Sequence, residues 1–271
     1  MATRAALAAA AALIALAFTL STAERWWARR RAHDLAWAVA LAMFTVASVA
    51  LWSGASLGWG GRSFRVFYLL GGVVTVPVLA LGTVSLLGGP LRARRWAMVV
   101  ALGSAFAAGV VTVAPLRAPV PVDRLPRGSE VFGALPRALA AGASATGAAV
   151  VLGGAVLSAV RARRRGGPAA RRMVAANGLI ALGTVLLSAG GLANSVVGEM
   201  EAFALSLVAG VGSLFAGFLV AVARSPVEPP ERPRAGAAEG SAQDEELHDG
   251  GHEDGEKEQA HHDGGRRPHP A

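Results

Sequence analysis

The sequence predicts an all-α, polytopic membrane protein: a transmembrane bundle of seven helices followed by a disordered tail. Three observations carry this. Seven apolar stretches each approach or exceed the roughly 20 residues that an α-helix needs to cross a hydrocarbon core. Charge is scarce, 16% of the 271 residues against about 25% in soluble domains, and it collects between the stretches. The arginines between them alternate in density, and that alternation sets orientation, because cytoplasmic loops collect Lys and Arg.

The first helix is expected over residues 5–22. One arginine, Arg4, precedes it, whereas Arg25, Arg29, Arg30 and Arg31 follow. Its C-terminal end therefore belongs in the cytoplasm and the N-terminus outside. Ser21-Thr22-Ala23 also has the small-x-small form of a signal-peptidase site. Cleavage there would invert every later helix and leave the dense arginine loops outside, so an uncleaved first helix is the expectation.

The second helix is expected over 35–55, before the Gly-rich turn Gly58-Trp59-Gly60-Gly61, and the third over 66–87. A loop with Arg92, Arg94 and Arg95 leads to the fourth, 96–114. The Pro-rich connection 115–135 follows, with Arg117, Asp123, Arg124, Arg127 and Glu130. The fifth helix, 136–160, runs into the densest basic loop: Arg161, Arg163, Arg164, Arg165, Arg171 and Arg172. The sixth is 173–196 and the seventh 202–223. These make one transmembrane domain, 1–223. Residues 224–271 are acidic, rich in Pro and Gly and nearly free of large apolar side chains. Such a segment buries too little surface to offset chain entropy, so a disordered cytoplasmic tail is expected.

The net charge of +8 hides an asymmetry. Residues 1–222 hold 20 Arg and 6 acidic residues, whereas the tail holds 5 Arg, 1 Lys and 12 acids. The basic charge sits in membrane loops, and nucleic-acid binding is not needed to explain it. With the N-terminus outside, 13 arginines fall in the cytoplasmic loops and 7 (Arg4, Arg62, Arg65, Arg117, Arg124, Arg127, Arg137) in the outer segments. Trp26, Trp27 and Trp96 then mark the inner interface. Trp52, Trp59 and Phe64 mark the outer one, with Trp37 a turn inside the inner edge, as in an aromatic belt.

Small residues recur at helical spacing: Ala209, Ser213 and Gly217 in the seventh helix, and Ala143 with Gly147 and Ala149 with Gly153 in the fifth. Such rows let helices approach closely in lipid, where little hydrophobic drive acts between them. They predict a compact bundle or a homo-oligomer face. Pro77, after Gly71-Gly72, predicts a kink in the third helix. The fragment Ala-Leu-Gly-Thr-Val occurs at 80–84 and again at 181–185. That would suit an inverted repeat, but five letters from so narrow an alphabet recur easily.

No catalytic signature is present. Cysteine is absent, the sole Lys is Lys257 in the tail, and the sole His outside the tail is His33. A disulfide, a thiolate nucleophile, a retinal Schiff base in the membrane and paired His ligands to haem are all excluded. No HExxH motif and no mid-membrane carboxylate pair occur. No cofactor and no metal are expected. The tail histidines (His248, His252, His261, His262, His269) lie in a solvated linker that nothing preorganises.

The polar groups able to converge lie toward the outer side: Arg65 and Tyr68 on the third helix, Asn194 on the sixth, and Glu199 and Glu201 before the seventh. Arg65 with Glu199 or Glu201 is expected to form a clasp over an outward pocket. Asn177 is expected to hydrogen-bond across helices. Asp34, next to His33, is expected to favour the N-terminal end of the second helix, with a local His33–Asp34 pair as the other reading.

The segments AHDLAWAVALAMFTVASVALWSGA, FRVFYLLGGVVTVPVLALGTVSLL and GEMEAFALSLVAGVGSLFAGFLVA resemble a family of uncharacterised integral membrane proteins of high-GC bacteria. The resemblance spans about residues 24–222, rests on the texture of whole helices and implies no activity. Seven helices with an outside N-terminus also resemble, more loosely, the membrane sensor modules that precede some bacterial signalling domains. The expected function is therefore a non-enzymatic, sensor-like or scaffold component of the cell membrane. Its Arg-rich loops would face anionic lipid or a cytoplasmic partner. A small-solute transporter or channel working through the third and sixth helices is the alternative.

Overall fold

A computed structural model describes residues 2–122, 124–196 and 200–223. The tail expected to be disordered, 224–271, lies outside the described residues. Seven helices among those described are long and apolar enough to cross a membrane. We number them α1 (Ala2–Arg29), α2 (Ala32–Leu57), α3 (Gly61–Leu87), α4 (Gly89–Val113), α5 (Ala134–Arg165), α6 (Gly167–Val196) and α7 (Met200–Val222). A single helical turn, Gly128–Val131, sits in the α4–α5 connection.

Most helices outrun the stretches expected from hydropathy. Hydropathy marks the part immersed in hydrocarbon, about 30 Å thick. Helix formation continues into the interface, where charged side chains reach water. The 32 residues of α5 span about 48 Å at 1.5 Å per residue. The expected arginine loops are consequently helix ends. Arg29 closes α1, Arg161 to Arg165 belong to α5, and Arg171 and Arg172 belong to α6. The α5–α6 reversal is made by Gly166 and Gly167, with φ of 68° and 84°, a left-handed conformation that glycine adopts without a Cβ penalty. The α1–α2 turn is Arg30-Arg31. Arg30 takes φ of 53°, and its guanidinium covers the rings of Trp26 and Trp27 at 4.9 and 5.1 Å.

Six helices form a closed ring in the order α1, α2, α3, α5, α6, α7, with α7 returning to α1. Helix α4 lies outside the ring, against α3 and α5. Its Met98, Val99, Leu102 and Phe106 are exposed, an apolar surface suited to lipid and costly in water.

Glycines set the ring's closest crossings. A Cβ on Gly147 would lie 2.8 Å from the Val76 backbone carbon, joining α5 to α3. A Cβ on Gly183 would lie 2.6 Å from the Gly210 carbonyl oxygen, and one on Gly217 would lie 2.7 Å from the Ala176 oxygen, joining α6 to α7. Separations this short admit no side chain. The small-residue rows are thus only partly as expected. Gly147 and Gly217 face neighbours, but Ala209 and Gly153 point outward, because the α7 seam reaches Gly217 through Gly210 and Leu214, each one residue from the predicted Ala209 and Ser213.

The irregularity expected at Pro77 takes the form of a seven-residue π-helical segment, Tyr68–Val74, just before it. The Thr75 N–H donates to the Leu70 carbonyl, five residues back. Pro77 has no N–H, so neither Val73 in α register nor Gly72 in π register finds a donor there. Ser144 on α5 supplies one, its Oγ donating to the Gly72 oxygen at 2.7 Å. The two Ala-Leu-Gly-Thr-Val fragments have unlike surroundings: Gly82 lies under the Trp37 indole and Gly183 against the α7 backbone.

Two substitutions on α6 separate seam from surface. Gly183→Leu should lower the thermal midpoint of purified protein in detergent, with a cost of about 1–3 kcal/mol from overpacking. Gly178, whose Cβ would meet nothing within 4 Å, should gain stability as Gly178→Ala, by about 0.5–1 kcal/mol of helix propensity.

Candidate functional site: a central cavity at the arginine-rich end

The Arg-bearing ends of the helices gather at one end of the ring, and a cavity of about 110 Å3 opens within the ring toward that end. All six ring helices line it and α4 does not. Phe18 and Thr22 come from α1, Trp37 from α2, Thr83 from α3, Val151, Gly154, Ala155 and Ser158 from α5, Asn177 from α6, and Leu214 and Phe218 from α7. The wall is mostly apolar, with three aromatic rings, and no formally charged side chain contributes to it.

The polar lining has distinct roles. Thr22 is fully buried and donates to the Phe18 and Thr19 carbonyls of its own helix at 3.0 and 2.9 Å. The Asn177 amide donates to the Met173 carbonyl, also on its own helix, at 2.8 Å. This replaces the expected cross-helix bond, because Asn177 faces the cavity and not a neighbouring backbone. Thr83 and Ser158 present hydroxyls from facing helices.

A charged cluster lies next to this cavity. The Asp34 side chain is 0% exposed, with Arg25 Nε at 3.6 Å and His33 Nε2 at 3.7 Å. Neither Asp34 oxygen has a hydrogen-bond partner among the described residues, so the attraction is Coulombic. Both readings of Asp34 are realised together. It stands in the first turn of α2, where the helix dipole favours an anion, and His33 lies beside it, a charge pair only where the ring is protonated. The stronger partner, Arg25, was not anticipated. The arginine reaches Asp34 because α1 stays helical to Arg29 and turns back in two residues. Two aromatic cavity walls rest on the cluster: the Arg25 guanidinium covers Phe218 at 5.3 Å, and His33 meets Trp37 at 5.3 Å.

The expected outward pocket is organised differently. Arg65 donates to the Val111 and Ala114 carbonyls, the latter at 2.8 Å, and so caps the C-terminal end of α4, whose last carbonyls lack helical donors. Glu201 pairs with Arg4 at 3.3 Å. Arg65 and Glu201 therefore do not meet. The Tyr68 hydroxyl lies 3.5 Å from the Pro136 oxygen, and its ring packs on Phe64 and Phe132. The Asn194 side chain and Glu199 lie outside the described residues.

The 115–135 connection folds back as a plug. Leu125, Val131 and Phe132 are buried among Trp59, Phe64, Phe203 and Leu207. The Trp59 N–H donates to Val122 and the Arg117 N–H to Val131, at 3.2 and 3.0 Å. Trp59 and Phe64 are consequently core residues at 4% and 0% exposure, whereas Trp27 and Trp52 remain exposed, as interfacial anchors are. Within the plug, Arg124 Nη1 sits 3.1 and 3.0 Å from the two Glu130 oxygens. That hydrogen bond holds the Glu130 carboxyl below its usual range.

No protein-family model, curated protein or solved structure matches this chain.

The ion pair predicts an asymmetry. Arg25→Ala strands a wholly buried carboxylate and should cost about 3 kcal/mol. Asp34→Ala leaves an arginine that still reaches the interface and should cost about half as much, given snorkelling. The double variant should be milder than Arg25→Ala alone, all three being read from thermal midpoints.

A second expectation concerns pH. The folded Glu130 pKa is depressed, so its contribution is present above the unfolded value, about 4.3, and is lost as pH falls through the folded value. Amide exchange at Arg117 and Val131 should be slower than in Glu130→Gln at neutral pH. The two proteins should converge only once pH falls below the depressed folded value.

Proposed function

We propose that this chain is a non-enzymatic, sensor-like multi-pass component of the cell membrane, its N-terminus outside and its C-terminal tail in the cytosol. The central cavity is its ligand site, and the arginine-bearing helix ends contact anionic lipid or a cytoplasmic partner. One observation carries the reading: every helix of the ring contributes to the cavity wall. A bound molecule therefore touches all six, and differential contact is what shifts a packed assembly between arrangements. On α5 the wall residue Ser158 lies one turn before Arg161, so a displacement at the cavity is delivered at the basic end. Three arrangements of titratable groups that support catalysis elsewhere (a nucleophile beside a base, a carboxylate pair, a metal cluster) are not formed by the residues lining this cavity.

A transporter reading is favoured by one feature, the π-helical segment before Pro77. Irregular helices accompany substrate paths in transporters. Against it, the end opposite the arginines is filled by Phe64, Val131 and Phe132, each fully buried, and by the plug bonded to Trp59.

A photo-cross-linking residue at position 164 of the full chain, expressed in its own cells, tests the function. The account expects one recurring cytoplasmic partner, lost when Arg163, Arg164 and Arg165 are made Ala. It also expects no solute flux in proteoliposomes. Flux abolished by Pro77→Ala, with no specific cross-link, would replace this reading with the transporter.

A further inference from the structure

We propose that the central cavity binds a small, neutral aromatic molecule bearing one hydroxyl group, of the size and class of phenol. The proposal rests on the cavity being the ligand site and adds what the ligand is.

Size comes first. At about 110 Å3 the cavity is somewhat smaller than an engineered apolar cavity of about 150 Å3 that takes benzene. A single six-membered ring matches that scale. The wall then selects an aromatic ring. Phe18, Trp37 and Phe218 come from three different helices, and ring pairs in edge or offset contact add about 0.5–1.5 kcal/mol beyond simple burial.

Charge excludes the ionic candidates. Arg25 and Asp34, the charges beside the aromatic wall, are paired with each other and stand behind Phe218 and Trp37. Asp34 exposes no surface through which a ligand could reach it. An ammonium or carboxylate entering the cavity would lose its hydration without gaining a counter-charge.

The hydroxyl follows from Thr83 and Ser158. Gly154, on the same helix as Ser158, brings α5 so near α3 that its Cβ would lie 2.2 Å from the Thr83 methyl. Thr83 and Ser158 therefore line one narrow space from facing helices, and Asn177, engaged with Met173 through its nitrogen, lines the same space. These side chains offer hydrogen-bonding groups that a purely apolar occupant would leave unused, so an occupant with one donor and acceptor suits this side of the wall. The end of a lipid acyl chain fits the volume but offers these groups nothing.

Phenol and toluene are the probes. Each is titrated calorimetrically into the full chain in nanodiscs, with empty nanodiscs subtracted. The expected result is saturable one-to-one binding of phenol. Ser158→Ala should weaken phenol about fivefold, the loss of one neutral hydrogen bond, and leave toluene unchanged. Ala155→Leu, which fills the space, should abolish both. Because Ser158→Ala removes only the hydroxyl, the phenol-to-toluene ratio remains decisive even where Ala155→Leu fails to fold.

Three results overturn the proposal: heats no larger than those of empty nanodiscs; phenol and toluene weakened alike by Ser158→Ala; or an acyl chain retained in the purified protein and displaced by neither probe. Binding as predicted, with no change in cross-linking at position 164 when phenol is added, would leave the ligand assignment standing and remove the sensor reading.

Discussion

The architecture depends on backbone-to-backbone contact between helices at a few glycines. In lipid, burying apolar side chains brings little gain, since the hydrocarbon outside is as apolar as the interior. Helices hold together where surfaces meet without gaps. Here Gly147 lets α5 touch the α3 backbone at Val76, and Gly183 and Gly217 let α6 and α7 run almost in backbone contact. These approaches allow six helices to close into a ring. The same closeness excludes α4, which keeps lipid-facing residues such as Leu102 and Phe106 on its outer side.

A ring of six helices leaves space at its centre, and the protein treats the two ends unlike. One end is plugged by the α4–α5 connection, stacked through Phe64 and Phe132 at 5.6 Å and pinned where Arg65 caps α4. The other end keeps a cavity. Below it the Arg25–Asp34 pair binds the α1–α2 hairpin to the aromatic wall. A carboxylate with no exposed surface is expensive in such a setting.

Much of the fold is legible in the sequence. The seven spans are visible because hydropathy reports the solvent. Helix ends are less so: a helix runs on through the interface, and only geometry shows Arg161 to Arg165 as part of α5. The site was the least legible. Its walls are ordinary Phe, Leu, Val and Ala, indistinguishable in sequence from packing residues. Asp34 looks solvated beside Arg29, Arg30 and Arg31, yet the tight turn carries it under Arg25. The available signal was the short spacing of Arg25 and Asp34 across a helical hairpin. Arg65 and Glu201 misled for the converse reason: nearness to one membrane face does not supply a contact, and each found a nearer partner. Apolar Leu125, Val131 and Phe132, set among the Pro and Arg of the connection, were the trace of the plug.

The closed ring, with α5 against α3 and α4 outside, is tested most directly by one disulfide. The natural chain has no cysteine, so a designed pair reports alone. A Cβ at Gly154 would stand 3.7 Å from the Thr83 Cβ, within the about 3.5–4.5 Å that a disulfide spans. Thr83→Cys with Gly154→Cys should oxidise to a cross-link in native membranes, seen as a mobility shift reversed by reductant after cleavage between the helices. Two thiols that stay reduced under the same oxidant, in protein that is folded and inserted, would contradict the ring.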